Sequence, residues 1–128
     1  MLQQLSTIHG EDLPETPWNS YPRPQMKRDS YLNLNGKWEF SVKEANFTGK
    51  TILVPFCPES FLSGVNEHFP EGTPIWYRRS FVLPENFNRG RVLLHIGAAD
   101  QVADVYVNGI HMTHHAGGYD AFSVDITE

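Results

Sequence analysis

Three histidines close together are the first side chains in this sequence whose type and spacing could do chemistry. His111, His114 and His115 lie within one short segment, and neutral imidazole is the commonest protein ligand for transition metals. Three such ligands and one open position would make a catalytic zinc site. Alternate residues of a strand share a face, so a strand here would point His111 and His115 one way and His114 the other. On that interpretation His114 lies on the inner face with Ile110 and Met112, and we predict no metal site.

Acidic residues in the segment 55–74 are a second candidate for chemistry. Glu59, Glu67 and Glu71 lie in PFCPESFLSGVNEHFPEGTP, and a pair of carboxylates could serve a glycosidase or a protease as acid and base. The sequence sets no distance between any two of them, and surface glutamates are mostly solvated. The spacings of a serine-hydrolase elbow, a phosphate-binding loop, a dinucleotide fold and a zinc-protease helix are all absent. We predict no catalytic residue within this chain.

Composition limits the kinds of protein this chain could be. Its 128 residues, 40% of them hydrophobic, suit one globular domain. The formal net charge of -5 predicts no nucleic-acid partner and no anionic membrane surface, because both attract a clustered positive field. A single cysteine, Cys57, allows no intrachain disulfide, which is typical of a reducing compartment. The sequence shows neither a signal peptide nor a membrane span, so we predict a cytoplasmic protein.

The first 30 residues differ from the rest in composition. They are polar and contain four prolines, each of which fixes a backbone angle and removes a hydrogen-bond donor. We therefore predict an extended arm over residues 1–30 and a folded domain over residues 31–128. Trp18 and Tyr21 indicate that the arm lies against the domain, since large aromatic side chains favour burial.

Short runs rich in β-branched and aromatic residues fill the remainder of the chain. The predicted strands are KWEFSVK (37–43), TILVP (51–55), IWYRRSFVL (75–83), RVLLHIG (91–97), VADVYV (102–107), IHMTHH (110–115) and FSVDI (122–126). Seven such runs separated by turn residues predict an all-β sandwich or barrel. Asn108-Gly109 predicts a type I′ hairpin turn, because both central residues of that turn need positive φ. The segment 55–74 breaks the pattern, and loops of that length are usually functional.

Taken in order, five segments resemble the N-terminal sugar-binding domain of glycoside hydrolase family 2, which holds β-galactosidases and β-glucuronidases. They are YPRPQMKRDSYLNLNGKWEF (21–40), ILVPFCPESFLSGV (52–65), IWYRRSFVLP (75–84), VLLHIGAADQVADVYVNG (92–109) and HHAGGYDAFSVDIT (114–127). Ala121 departs from the family pattern, which usually carries a proline there. The resemblance implies a jelly-roll-like β-sandwich of the galactose-binding-domain-like class. It also implies a structural corner at Gly117-Gly118, with Tyr119 packed beside it.

The resemblance also implies a function. Members of this family hydrolyse terminal β-glycosides with retention, using two glutamates in a later TIM barrel, a fold that alone needs about 250 residues. This chain would then be a sugar-binding and scaffold domain that is non-catalytic by itself and needs no cofactor. Its partners would be a β-glycoside in the full-length enzyme and the catalytic barrel domain. A free-standing carbohydrate-binding module is the alternative.

The same resemblance suggests particular residues. The segment GVNEHF (64–69) matches a region that reaches toward the active site in relatives, which makes Asn66, Glu67 and His68 the predicted substrate-binding residues. In the family the "DIT" segment is followed by further strands, so we expect an incomplete sandwich with exposed strand edges. Unpaired edges accept other strands, and we therefore expect a homo-oligomer.

Overall fold

The structure is a computed structural model that describes residues 6–128. It contains one short α-helix, α1 (Ile8–Glu11), two 3-10 turns at Pro24–Met26 and Phe61–Ser63, and seven strands in the described range. The strands are β1 (Gly36–Val42), β2 (Thr51–Val54), β3 (Ile75–Arg78), β4 (Leu93–Ile96), β5 (Val102–Val107), β6 (Ile110–Ala116) and β7 (Phe122–Asp125). Each predicted strand segment overlaps one of these strands, and all their pairings are antiparallel. The all-β prediction is confirmed.

The chain divides into two compact units, the first ending at Val82 and the second running from Leu83 to Glu128. In the first unit β1 is the central strand of a three-stranded sheet in the order β2-β1-β3. Phe40 and Ile52 are each 1% exposed and form the core with Val65. The ring of Phe40 also meets Tyr77 edge to face, at 5.5 Å between centroids. This core lies under the loop that follows β2.

The segment predicted to be an extended arm contains two helical turns, which corrects that expectation. Thr7 caps α1, and its Oγ1 accepts a hydrogen bond from the Gly10 amide at 3.2 Å. The first proline of the chain is Pro14, so α1 keeps the backbone donors that a helical turn needs. Pro24 occupies the first position of the other turn, where its missing N–H costs nothing. Residues 1–5 of the arm lie outside the described residues.

The rest of the arm is tied to the first unit through its backbone. Asn35 donates from Nδ2 to the Pro17 carbonyl at 3.0 Å, and Asn33 donates from Nδ2 to the Trp18 carbonyl at 3.1 Å. Pro17 is fully buried, whereas Trp18 is 69% exposed although its ring meets Phe56 at 5.4 Å. The arm is therefore held mainly by side-chain amides that satisfy its carbonyls.

The second unit contains two separate strand pairs, β4 with β7 and β5 with β6. Strands β5 and β6 form a hairpin in which Asn108 has φ 50° and Gly109 has φ 82°. Both angles are positive, as a type I′ turn requires, and this prediction is confirmed.

A β-bulge in this hairpin overturns the predicted orientation of the histidines. Val105 pairs with Thr113, but Tyr106 pairs with His111, which leaves Met112 as an extra residue in β6. An extra residue reverses the alternation of faces beyond it. His111 therefore shares the exposed face with His114, while His115 lies on the opposite, half-buried face. The predicted grouping of His111 with His115, and of His114 with Ile110 and Met112, is wrong.

No helix within residues 6–128 has both the length and the apolar character needed to cross a membrane.

Candidate functional site

The loop between β2 and β3 contains the three predicted substrate-binding residues and has a defined internal structure. It includes the 3-10 turn Phe61–Ser63, whose N-cap residue is Ser60. The Ser60 side chain caps this turn by accepting a hydrogen bond from the Ser63 amide at 3.3 Å. Gly64 ends it with φ 79°, a left-handed conformation that glycine adopts without steric cost. The sequence predicted a long functional loop here but not its local order.

Ser63 is the centre of this loop. Its side chain is 1% exposed, and its Oγ donates to the Ser60 carbonyl at 2.7 Å, with the Pro58 carbonyl 3.2 Å away. The same oxygen accepts a hydrogen bond from the Val65 amide at 3.0 Å. A buried hydroxyl with both donor and acceptor roles filled is stable in its place. One side chain thus joins the start of the loop to its middle.

Asn66, Glu67 and His68 follow directly and are all exposed. Asn66 has φ 52°, a left-handed conformation in which asparagine is enriched among non-glycine residues. The Glu67 amide donates to the Pro58 carbonyl at 3.1 Å, which closes the loop on itself. The structure therefore places all three residues on one exposed segment with a fixed backbone.

Lys50 is a neighbour of this segment that the sequence did not indicate. Its Nζ lies 2.9 Å from Glu67 Oε1, and the two side chains are 40% and 53% exposed. The same ammonium group lies 5.7 Å from the centre of the Phe40 ring. Lys50 and Glu67 are 17 positions apart in the chain, and the loop after β2 folds back toward the start of that strand to bring them together.

Glu59, another carboxylate of the loop, affects the pKa of Tyr77. Burial raises the pKa of Tyr77 to about 12, and the charges of Glu59 and Cys57 add to the rise. A negative charge nearby disfavours the phenolate, as burial does. Tyr77 is nevertheless 38% exposed, and the effect of the two charges is screened by solvent. The arrangement extends the pH range over which the phenol stays protonated from about 10 to about 12.

A second cluster of polar side chains lies on the exposed face of the β5–β6 hairpin. His111 Nε2 and His114 Nδ1 each lie 2.9 Å from the same oxygen of Asp104, Oδ1. These two hydrogen bonds lower the pKa of Asp104, because they stabilise the carboxylate form. Within residues 6–128 no group of three or more histidine, cysteine or acidic side chains is arranged to hold a metal ion. The contacts of this cluster are hydrogen bonds.

His115 has a different environment from the other two histidines. Its ring stacks on Phe122 at 4.2 Å and 13° between planes, and its Nδ1 is buried with no hydrogen-bond partner among the described residues. The ring therefore serves mainly as a flat packing surface between β6 and β7.

The Gly117-Gly118 corner matches what the resemblance implied, except at Tyr119. Gly117 has φ 138°, and a Cβ on Gly118 would lie 2.5 Å from Asp100 Oδ1. The first glycine meets a backbone requirement and the second allows a close approach. Tyr119 was expected to pack beside them but is 100% exposed, since the turn that these glycines form points it into solvent.

Comparison with known proteins extends these observations. No protein-family model matches the sequence. A β-glucuronidase of Chlorocebus aethiops is 45% identical over 84% of this chain, a β-glucuronidase of Paenibacillus borealis is 40% identical over 84%, and a β-galactosidase of Thermoanaerobacter pseudethanolicus is 32% identical over 75%. The chain spans 19%, 20% and 13% of the lengths of these relatives.

Solved structures agree with the sequence matches. A Bifidobacterium dentium β-glucuronidase complexed with coumarin-3-O-glucuronide matches with a TM-score of 0.58 and 26% identity over 74% of this chain and 17% of its own. A β-glucuronidase of an uncultured Clostridium species matches with a TM-score of 0.56 and 25% identity, over 74% of this chain and 19% of its own. The N-terminal domain of these enzymes is sandwich-like. At the level of that N-terminal domain, the chain belongs to glycoside hydrolase family 2, of the β-galactosidase and β-glucuronidase type.

Proposed function

We propose that this chain is the sugar-binding and scaffold domain of a retaining family 2 glycoside hydrolase that acts in carbohydrate metabolism, and that it is non-catalytic by itself. One observation carries the proposal. Six relatives that each match 75–84% of this chain are β-glucuronidases or β-galactosidases, and the chain accounts for only 12–20% of their lengths. The partner would be a catalytic barrel domain, which supplies the two glutamates that retention needs.

The carboxylates of the loop support a non-catalytic role for this part of the protein. A retaining pair needs two carboxyl groups about 5–5.5 Å apart on either side of the sugar bond. Glu67 is instead engaged by Lys50, and Glu59 acts on Tyr77. Both glutamates are exposed at the surface of the first unit.

The proposed ligand is a β-glycoside, with a β-glucuronide as the first to test. The matching Bifidobacterium dentium enzyme is complexed with a glucuronide, and most of the similar proteins are β-glucuronidases. Asn66, Glu67 and His68 would face the sugar of the full-length enzyme from their exposed loop. Amide, carboxylate and imidazole groups can all hydrogen-bond sugar hydroxyls.

Other parts of the proposal concern organisation. We propose a jelly roll for residues 31–128, with residues 1–30 as its arm, in a cytoplasmic protein. We also propose a homo-oligomer through strand edges. β2 and β3 are the outer strands of the first sheet, and the backbone groups of outer strands can pair with another chain.

Titration calorimetry of the 128-residue chain with methyl β-D-glucuronide and methyl β-D-galactoside tests the proposal. We expect no measurable binding and no hydrolysis by the isolated chain, together with β-glycosidase activity in the protein purified from the source cell. Tight binding by the isolated chain would favour a free-standing carbohydrate-binding module. Hydrolysis by the isolated chain would overturn the non-catalytic assignment.

A further inference from the structure

Within the proposed sugar-facing loop, the buried and the exposed side chains have different contacts. Ser63 is 1% exposed and its Oγ lies within hydrogen-bonding distance of groups on both sides of it in the chain. Asn66 and His68 are exposed, and their side chains make no hydrogen bond to any residue from 6 to 128. Ser63 thus stabilises the backbone of the loop, whereas the side chains of Asn66 and His68 face solvent.

The backbone after Ser63 needs such support. Gly64 has φ 79° and Asn66 has φ 52°, so two of three successive residues have left-handed backbone. Val65 between them is 8% exposed and belongs to the core with Phe40. The Ser63 hydroxyl accepts from the Val65 amide at 3.0 Å and lies 3.5 Å from the Asn66 amide. It therefore fixes the peptide groups that set the direction of the Asn66 side chain.

Glu67 is held on the other side of the loop. Its amide donates to the Pro58 carbonyl at 3.1 Å, and its carboxylate lies 2.9 Å from the Lys50 ammonium group. Oε1 of this carboxylate is already occupied by the ammonium group, so a sugar hydroxyl that binds that oxygen must share or displace the ion pair. Asn66 and His68 would lose no such contact.

We propose that Ser63 and Glu67 are positioning residues of this loop and that Asn66 and His68 make the direct contacts with the sugar. The proposal rests on the proposed function, and it gives Glu67 a different role from Asn66 and His68. Ser63 sets the backbone from Val65 to Asn66, and the pair of Glu67 with Lys50 fixes the far end. The ligand class is a pyranose that presents hydroxyl groups to an amide and an imidazole.

The positioning part is tested in the 128-residue chain by amide hydrogen exchange. Ser63→Ala removes the acceptor of the Val65 amide, so the Val65 and Asn66 amides should exchange about fivefold faster or more. The exchange rates of the β1 amides should not change. Ser60→Ala is the matched control, because the Ser60 hydroxyl bonds to Cys57 and Ser63 but not to the residues that follow. Equal exchange in all three proteins would overturn the role of Ser63.

The contact part is tested in the β-glycosidase purified from the source cell, with a β-glucuronide substrate. Asn66→Gly removes the amide side chain and keeps the positive φ, so it should raise KM about fivefold or more without changing the exchange of the Val65 amide. Glu67→Gln and Ser63→Ala should raise KM only together with faster exchange in the loop. An unchanged KM in Asn66→Gly, or a raised KM in Glu67→Gln with unchanged exchange, would overturn the division.

If Ser63→Ala does not fold, Lys50→Met tests the same idea from the other anchor, since it removes the partner of Glu67 and keeps a long apolar side chain. We expect faster exchange of the Glu67 amide, and unchanged exchange would overturn that anchor. If the purified protein hydrolyses neither β-glucuronides nor β-galactosides, the proposed function fails. The exchange results still decide whether Ser63 and Glu67 hold the loop.

Discussion

The two units of this chain use the same kind of strand sequence with different results. In the first unit, the central strand β1 pairs on both sides, and Phe40, Ile52 and Val65 close a core beneath the following loop. In the second unit the strands form two separate pairs, and on the β5–β6 hairpin Val102 is 61% exposed and Ile110 is 66% exposed. A strand paired on two sides can support a loop, whereas a lone hairpin mainly presents its faces. The candidate sugar loop belongs to the closed unit.

The largest effect we expect comes from the closed core. Phe40→Ala removes a fully buried ring that meets Phe69 and Tyr77, so the free energy of unfolding should fall by about 3–5 kcal/mol. Val102→Ala truncates a side chain that is 61% exposed, and it should change the free energy of unfolding by less than about 0.5 kcal/mol. Urea denaturation of both variants measures the contrast. Similar losses in the two variants would contradict the role of Phe40 as the buried centre of the first unit.

The hairpin turn offers a smaller test within the second unit. Gly109 has φ 82°, and an alanine there should cost about 1–2 kcal/mol, because a Cβ disfavours left-handed backbone. Gly97 has open space around it and no left-handed angle, so Gly97→Ala is the matched control and should be neutral or slightly stabilising. Thermal unfolding of the two variants should separate them clearly. A loss from Gly97→Ala as large as that from Gly109→Ala would argue against the turn as the cause.

Alkaline pH should act on the first unit through Tyr77. Its pKa is raised from 10.0 to about 12, first by burial and then by Glu59 and Cys57. A raised pKa in the folded state means that the contribution of Tyr77 is full below the unfolded value and is lost as the pH rises toward the folded one. Stability should therefore fall between pH 10 and about 12. Tyr77→Phe should flatten that part of the profile in urea denaturation, and an unchanged slope would count against the assignment.

The smallest effect we expect is at acid pH in the second unit. The hydrogen bonds from His111 and His114 lower the pKa of Asp104 from 3.8. The carboxylate therefore stabilises the fold above that value, and this contribution is lost as the pH falls through the lower folded value. Asp104→Asn should be less stable than the parent at neutral pH, and the difference in stability should shrink as the pH falls below 3.8.

Glu85→Gln is the control for this measurement, because it neutralises an exposed carboxylate of the same unit. It should show no such difference between neutral and acid pH. If Asp104→Asn lowers the melting temperature by the same amount at both pH values, the substitution acts through something other than charge. The comparison is best made by thermal unfolding at low salt, where exposed charges are screened least.

Patterns that depend on neighbours in the chain were predictable from the sequence. Alternation located all seven strands, and Asn108-Gly109 located the hairpin turn. Both signals are local, since the side-chain period of a strand and the angles of a turn follow from a few adjacent residues. The ordered motifs predicted the family, which the similar proteins confirm.

Features that depend on contacts between distant residues were not predictable. The pair of Lys50 with Glu67 requires the loop to fold back on the sheet. The hydroxyl of Ser63 is one of several in the sequence, and its burial together with its hydrogen bonds to both sides of the loop distinguishes it. The orientation of the histidines required the pairing register of β5 with β6. The assignment of Asn66, Glu67 and His68 to a sugar site remains a prediction.

The extra residue at Met112 has a consequence for how strand surfaces can be composed. In a regular strand, neighbouring side chains on one face are two positions apart in the sequence, so alternate residues decide the chemistry of that face. The bulge places His111 and His114, three positions apart, over the same carboxylate. A spacing usually taken as a sign of a helix thus occurs on a sheet. Because the bulge absorbs Met112 as an extra residue, removing that codon would leave the two histidines two positions apart, still on one face of a regular strand.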